Sequence, residues 1–467
     1  MTTATTAASP RARKHRKASE GLEPSPYSAA TALRNGDLIT RLSLIVFGLG
    51  NIVRKQFVKG LILLALEAGI IAYFFGFLSP YLSKLHTLGT VAQTKVQDAD
   101  GFWTYKAGDN SVQILLYGVM ALFVIVLFVL TAVASLKSAY KAQTALQDGE
   151  RPTTFREDLH ALTDSRANVA LMFLPTLGIV LFTILPLAFM ISMAFTSYDK
   201  NHVVLFSWVG LKNFGTVFGN SGDVNAPLFL SVLIWTLVWA FFATFLNFFL
   251  GMFMAMIINR KTTHGKAFWR ACFSMSIAVP QFVSLLVMRT MLQPTGAINR
   301  LLLNAGIINQ GLPWLTDTTW ARVTVIVINL WIGIPYTIMQ ITGILQNVPA
   351  DLYEAAELDG ANWWQRFANV TMPYIIFVMT PYLITTFTAN VNNFNVIYLL
   401  SGGDPTPVGA SAGKTDLLIT WLYKLTVDKS NYNLGAVIGI MTFIVLAVLS
   451  LITYRHSGSY KNEEGFR

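Results

Sequence analysis

The amino-acid sequence predicts an all-α, polytopic membrane protein with about eight transmembrane helices, and three observations carry that prediction. Apolar side chains make up 54% of the 467 residues and charged ones only 12%, whereas soluble domains carry roughly 25% charged residues. Several stretches reach the ~20 predominantly apolar residues that a helix needs to cross the hydrocarbon core. Lysine and arginine are dense in alternate connections, as the positive-inside rule requires of a multi-pass chain.

The eight spans are expected at Val58–Leu78, Val112–Leu136, Val169–Met193, Leu228–Ile258, Phe268–Leu292, Val323–Leu345, Tyr374–Leu400 and Leu434–Tyr454. Ahead of them, Met1–Asn35 is rich in Ala, Thr, Pro and basic residues and has no apolar run. It reads as a disordered basic cytoplasmic tail rather than a signal peptide. Leu42–Val53 is apolar, too short to span and interrupted by Gly48 and Gly50, which fits an interfacial or re-entrant segment. Residues 36–140 then form an accessory segment with two spans. Residues 168–455 form a core of six, and 456–467 a second cytoplasmic tail.

Orientation follows from the basic residues. Arg34, Arg41, Arg54 and Lys55 precede the first span. Lys137, Lys141, Arg151 and Arg156 follow the second, and Arg260, Lys261, Lys266 and Arg270 follow the fourth. Both termini are therefore expected in the cytoplasm, with the connections after spans one, three, five and seven facing outward. The net charge of +10 is accounted for by these membrane-flanking segments, so nucleic acid is not called for as a partner.

Catalytic chemistry finds little support. The single cysteine, Cys272, excludes an intrachain disulfide and a cysteine metal cluster, and reads as a small packed side chain. The six histidines are scattered without ligand spacing. Gly409-Ala-Ser-Ala-Gly413-Lys-Thr415 imitates a phosphate-binding loop, but three residues separate its glycines where the motif needs four, and no strand precedes it. Glu67 is the acidic residue well inside a span. It lacks a basic partner at similar depth, so it reads as a structural hydrogen-bonding group in preference to a proton carrier.

Amides and hydroxyls in spans six and seven are more informative. Asn329, Gly333, Tyr336 and Gln340 share one helical face at i, i+4, i+7 and i+11, and Thr386, Ala389, Asn390 and Asn393 share another. Amides donate and accept, and a tyrosine ring can stack on a sugar face, so the two faces suit a neutral polyhydroxylated ligand. Hydrogen bonding between helices is the competing reading, and it is the preferred one for Asn392 and Asn395. Gly333 and Pro335 fit a bent, cavity-lining helix, or packing alone.

Between these spans lies Val348–Pro373, which reads as two short cytoplasmic helices. Asp351 and Glu354 form a capping-box-like pair at the start of the first, and Gly360 is placed to end it. Trp363, Trp364 and Phe367 mark the second. Resting in the headgroup layer is the generic expectation, but Glu354, Glu357 and Asp359 make the segment acidic where positive-inside loops are basic. An acidic, small-residue helix suits a basic protein cleft.

Glu354-Ala355-Ala356, Gly360 four residues later, then Val370 and Pro373 resemble the EAA loop of permease subunits of binding-protein-dependent ABC importers. Asn329–Tyr336, Thr342–Gln346, Asn390–Phe394 and Ala412–Leu418 are similar to the larger permease subunit of maltose/maltodextrin importers, from about span three onward. The resemblance implies a type I ABC importer permease fold in a plasma membrane. It implies that Glu354, Ala355, Ala356 and Gly360 couple to an ATPase, and that Gly333, Tyr336, Thr386, Asn390 and Asn393 contact sugar. The family's aromatic in span seven is Ala389 here, and a small apolar position is Asn395, which keeps Asn395 among the site residues. The implied partners are a second permease subunit, two ATPase subunits and an extracellular sugar-binding protein. No cofactor is expected in this chain, since ATP and Mg belong to the ATPase subunits. The family's Gram-negative members carry a large outer domain after span three. The short Asp199–Pro227 connection here points instead to a Gram-positive-type cell. An oligosaccharide, foremost maltose or maltodextrin, is the expected cargo. The alternatives are another sugar such as a galacto-oligosaccharide, or an ion-coupled secondary transporter.

Overall fold

The computed structural model describes residues 27–97, 102–220, 222–260 and 262–456. Helices dominate, and the described residues divide into two compact units, one ending at Phe189 and one beginning at Met190.

The first unit is built on the 37-residue helix Ser111–Gln147 and the span Phe57–Lys84. Short helices pack on them. Ala29–Asn35 is capped by the Ser28 hydroxyl, which accepts from Thr31 N at 3.1 Å. The expected tail therefore ends in a helix, because a serine cap precedes good helix formers. Its residues 1–26 lie outside the described residues. Leu38–Leu42 is capped by Asp37. Leu42–Val53 is not one segment. Gly48, at φ 77°, turns the chain into a further short helix, Leu49–Val53, and its α-carbon is so close to the Gly60 backbone that a Cβ would sit 2.3 Å from the Gly60 carbonyl oxygen. Arg54 is buried in a polar knot. It pairs with Asp37 at 2.8 Å and donates to the Gly50 and Ala139 carbonyls. Glu67 accepts the buried Phe47 N–H at 2.7 Å, a structural role for the intramembrane acid.

One exception to the all-α fold is an exposed hairpin, in which Thr94–Gln97 pairs antiparallel with Trp103–Lys106. At its base the Asp109 carboxylate accepts from Thr90 N at 2.9 Å and Val91 N at 3.1 Å and pairs with Lys84 at 2.7 Å. Trp, Tyr, Thr and Val at period two carried the strand signal.

Seven helices among the described residues are long and apolar enough to cross a membrane, and a bent pair gives an eighth. The bent pair corrects the fifth span. Lys266–Ala278 and Gln281–Met291 meet at 85° rather than forming one helix. Pro280 has no N–H to continue the ladder, and it pushes Val279 to φ −80°, ψ 125°. The seventh span also differs from expectation. Its helical run begins at Trp363, passes through a π turn at Phe367–Thr371 and breaks at Asn392 and Asn393.

In the second unit two apolar clusters alternate with polar positions along the same helices. Trp235, Trp239, Val325, Val391 and Ile397 belong to one cluster. Phe248, Met252, Ile338, Ile341, Ile375 and Met379 belong to the other. Lipid tails are as apolar as leucine, so such clusters hold by packing and buried hydrogen bonds rather than by water exclusion.

Candidate functional site

On the fourth, sixth and seventh spans the residues between these clusters surround a cavity of about 200 Å³. Its polar lining comes from Thr244 and Asn247 on span four, Gln281 just after the Pro280 bend, Asn329 and Tyr336 on span six, and Thr386, Asn390 and Asn393 on span seven. No charged side chain lines it. A second recess, beside Arg322 and Asp416, holds only about 20 Å³.

Close approach of spans four and six depends on glycine. A Cβ on Gly333 would lie 2.5–2.6 Å from the Asn247 carboxamide, and one on Gly251 would lie 2.5 Å from the Thr337 Cβ. Gly333 thus makes room for Asn247. Thr337 donates its hydroxyl to the Gly333 carbonyl at 3.2 Å, just past Pro335. Span four carries a π turn at Phe242–Leu246 immediately before Asn247, a distortion frequent at functional sites.

Span seven supplies its amides at a helix end. The helix stops at Val391, and Asn393 starts the next one by accepting Val396 N at 3.3 Å. Asn393 Nδ2 donates to Asn390 Oδ1 at 3.3 Å, and Asn390 Nδ2 donates to Thr244 Oγ1 at 3.0 Å. The Asn390 carbonyl accepts the Asn393 N–H at 3.2 Å and the indole N–H of Trp239 at 3.0 Å. A discontinuous helix with exposed backbone groups is tolerated at membrane depth where it lines a cavity.

The structure brings Gly333, Tyr336, Thr386, Asn390 and Asn393 together around this cavity. Asn395 is exposed and outside the lining. So is Asn392, whose amide reaches only its own helix, at the Thr388 carbonyl, 3.5 Å away. Gln340 also lies outside the lining, with a buried Oε1 that has no protein partner. Thr244, Asn247, Gln281 and Tyr382 were missed by sequence reasoning. Asn247 offered the same signal as Asn390, an amide within an apolar helix.

The loop between spans six and seven forms the helix Ala350–Leu358, with Glu354 and Ala355 exposed and Ala356 half-buried. The expected Asp351–Glu354 capping pair is absent, because Pro349 occupies the cap position and makes no side-chain bond. The reciprocal box forms one helix later, between Asn362 and Gln365. Gly360, at φ 74°, ends the first helix. Gly360 N reaches the Glu357 carbonyl at 3.0 Å and Ala361 N the Ala356 carbonyl at 2.9 Å, the bonding pattern of a Schellman motif. Arg366 pairs with Glu357, and Tyr353 bonds Thr371 at 2.9 Å, so both helices form one handle. Leu358, Trp363 and Trp364 remain exposed on it.

The phosphate-loop imitation is a compact loop built around Asp416. The Gly413 N–H donates to the buried Asp416 carboxylate at 2.6 Å, and Lys424 pairs with that carboxylate at 2.7 Å. Burial pushes the Asp416 carboxyl up from its ordinary range, and Lys424, Gly413 and Thr420 oppose the shift.

A family model described as binding-protein-dependent transport system inner membrane component matches residues 247–459. The galactooligosaccharides transport system permease protein GanP of Bacillus subtilis (strain 168) is 34% identical over 424 residues, covering 90% of this chain and 97% of that protein. The chain belongs to this permease family. The maltodextrin transport system permease protein MalC of Streptococcus pneumoniae serotype 4 is also 34% identical, over 90% of this permease and 96% of MalC. The maltose/maltodextrin transport system permease protein MalF of Photorhabdus laumondii is 37% identical over 253 residues, 53% of this permease and 48% of MalF. A crystal structure of a bacterial ABC transporter involved in alginate import shares the fold, at a TM-score of 0.54 and 21% identity over 64% of this permease and 97% of that chain. The permease is thus a transport subunit, and ATP hydrolysis falls to a separate subunit.

Proposed function

We propose that this permease carries a neutral oligosaccharide through the cavity at Asn390, with a maltodextrin as first choice of cargo. The observation that supports this most is the lining itself: amides, hydroxyls and the half-exposed Tyr336 ring, without charge. Hydroxyl-rich ligands bind through such bidirectional donors and acceptors and through aromatic faces. MalC, named for maltodextrin, is consistent with it. GanP, named for galactooligosaccharides and equally similar, supports a second reading in which the cargo is a galacto-oligosaccharide.

Energy would enter at the handle. Exposed Glu354 and Ala355, half-buried Ala356 and the Gly360 turn would seat on an ATPase subunit, where ATP and Mg bind. Closure of two such subunits would rock this permease and a second permease subunit between outward and inward states. An extracellular binding protein would deliver the sugar. Both termini would lie in the cytoplasm of a Gram-positive-type cell, at its plasma membrane.

Uptake by proteoliposomes containing the assembled complex, its binding protein and internal ATP tests the reading. Maltotriose and a β-linked galactotriose are offered in parallel, with and without a proton-gradient uncoupler. Uptake of either that needs ATP and survives the uncoupler supports the proposal. Uptake of neither, or loss with the uncoupler, refutes it.

A further inference from the structure

Three polar side chains around the cavity are engaged with one another. Asn393 spends its oxygen on the Val396 N–H and its nitrogen on Asn390, and Asn390 spends its nitrogen on Thr244. Asn247 differs. The residue is 8% exposed and lines the cavity, and its Nδ2 donates to the Ala243 carbonyl at 2.7 Å. That bond fixes which end of the amide is which, because only the nitrogen can donate to a carbonyl. Oδ1 is left buried without a protein partner, one of five such side-chain atoms among the described residues and the one of them on an amide lining the cavity that is nine-tenths buried.

An orphaned buried acceptor is unfavourable unless something donates to it. Gly333 leaves the space that the carboxamide occupies, since any Cβ there would overlap it. We infer that Asn247 is a specificity-determining binding residue, whose Oδ1 accepts a hydrogen bond from one hydroxyl of the transported sugar. This rests on the oligosaccharide reading of the cavity.

The test uses the full transporter with its binding protein in proteoliposomes and whichever of maltotriose and the galactotriose it transports. Asn247→Leu should keep assembly while lowering transport efficiency about tenfold. A panel of monodeoxy analogues then reads the contact. One analogue should lose about tenfold in the native transporter and nothing further in Asn247→Leu. Asn247→Ala repeats the comparison if the leucine variant does not assemble. Full additivity of every analogue with both variants, or native efficiency in Asn247→Leu, overturns the inference. Asn390→Leu run alongside separates the failures. If it abolishes transport while Asn247→Leu keeps native efficiency, only the Asn247 contact is wrong. If neither variant matters, or neither sugar is carried, the cavity reading falls and this inference with it.

Discussion

Asn390 on span seven donates its amide to the Thr244 hydroxyl on span four at 3.0 Å, joining two helices 146 residues apart across the cavity wall. The bond sets where the Asn390 carboxamide points. Thr244→Val keeps the volume and removes the acceptor, leaving the Asn390 donor without its protein partner at a cost of about 1–3 kcal/mol. Transport KM should rise roughly tenfold with little change in assembly. A native KM in Thr244→Val proteoliposomes would show that Asn390 needs no such guide.

Replacing Asn390 by Leu should abolish sugar uptake and leave the complex intact, because it removes polar contacts without opening a void. Asn393 needs a gentler probe, since its oxygen also caps the helix Phe394–Leu400. Losing that cap costs about 0.5–2 kcal/mol by itself. Asn393→Ser retains a capping hydroxyl and should still lose most uptake. Thermal unfolding of the purified complex separates the effects: an unchanged midpoint with lost uptake assigns Asn393 to the cargo, and full uptake removes it from the site.

Amides stand out in apolar helices, which is why Asn390 and Asn393 were legible in the sequence. Helical periodicity alone would continue one helix through Asn393, whereas the helix ends at Val391 and Asn393 reaches the cavity as a cap. Asn395 stood among the site residues only through the family resemblance, and the structure leaves it exposed and outside the lining. The fifth span was hidden by an opposite error. Its apolar run satisfied the length criterion, although Pro280 already marked the bend. Gly333 was read as a close approach, but its neighbour Asn247 lies 86 positions upstream, and no periodicity within one helix reveals it.

The handle gives a prediction about coupling. Gly360 holds φ 74° in a Schellman turn, where a β-branched side chain is strained by about 1–3 kcal/mol. Gly360→Val should therefore splay Ala350–Leu358 from the Trp363 helix. The ATPase should then copurify poorly, or hydrolyse ATP without sugar uptake. Glu357→Gln is the control. It removes one exposed ion pair with Arg366, worth about 0–1 kcal/mol, and should leave both activities near native. Tight coupling in Gly360→Val would place the contact elsewhere.

A pH effect is expected at the hairpin Thr94–Lys106. The hydrogen bond from Lys84, with those from Val91 N and Thr90 N, holds the Asp109 carboxyl down from 3.8 to about 2. A depressed carboxyl stabilises the fold above its unfolded value and loses that contribution as pH falls through its folded value. The base of the hairpin should thus stay ordered from neutral pH to about 4 and loosen as pH falls from there toward about 2. Hydrogen exchange at Thr90 and Val91, corrected for intrinsic rates, reads this directly. Asp109→Asn should show the low-pH exchange pattern already at pH 7. Equal protection of the native and Asp109→Asn proteins at neutral pH would mean that the strand pairing, not the carboxylate, orders the loop.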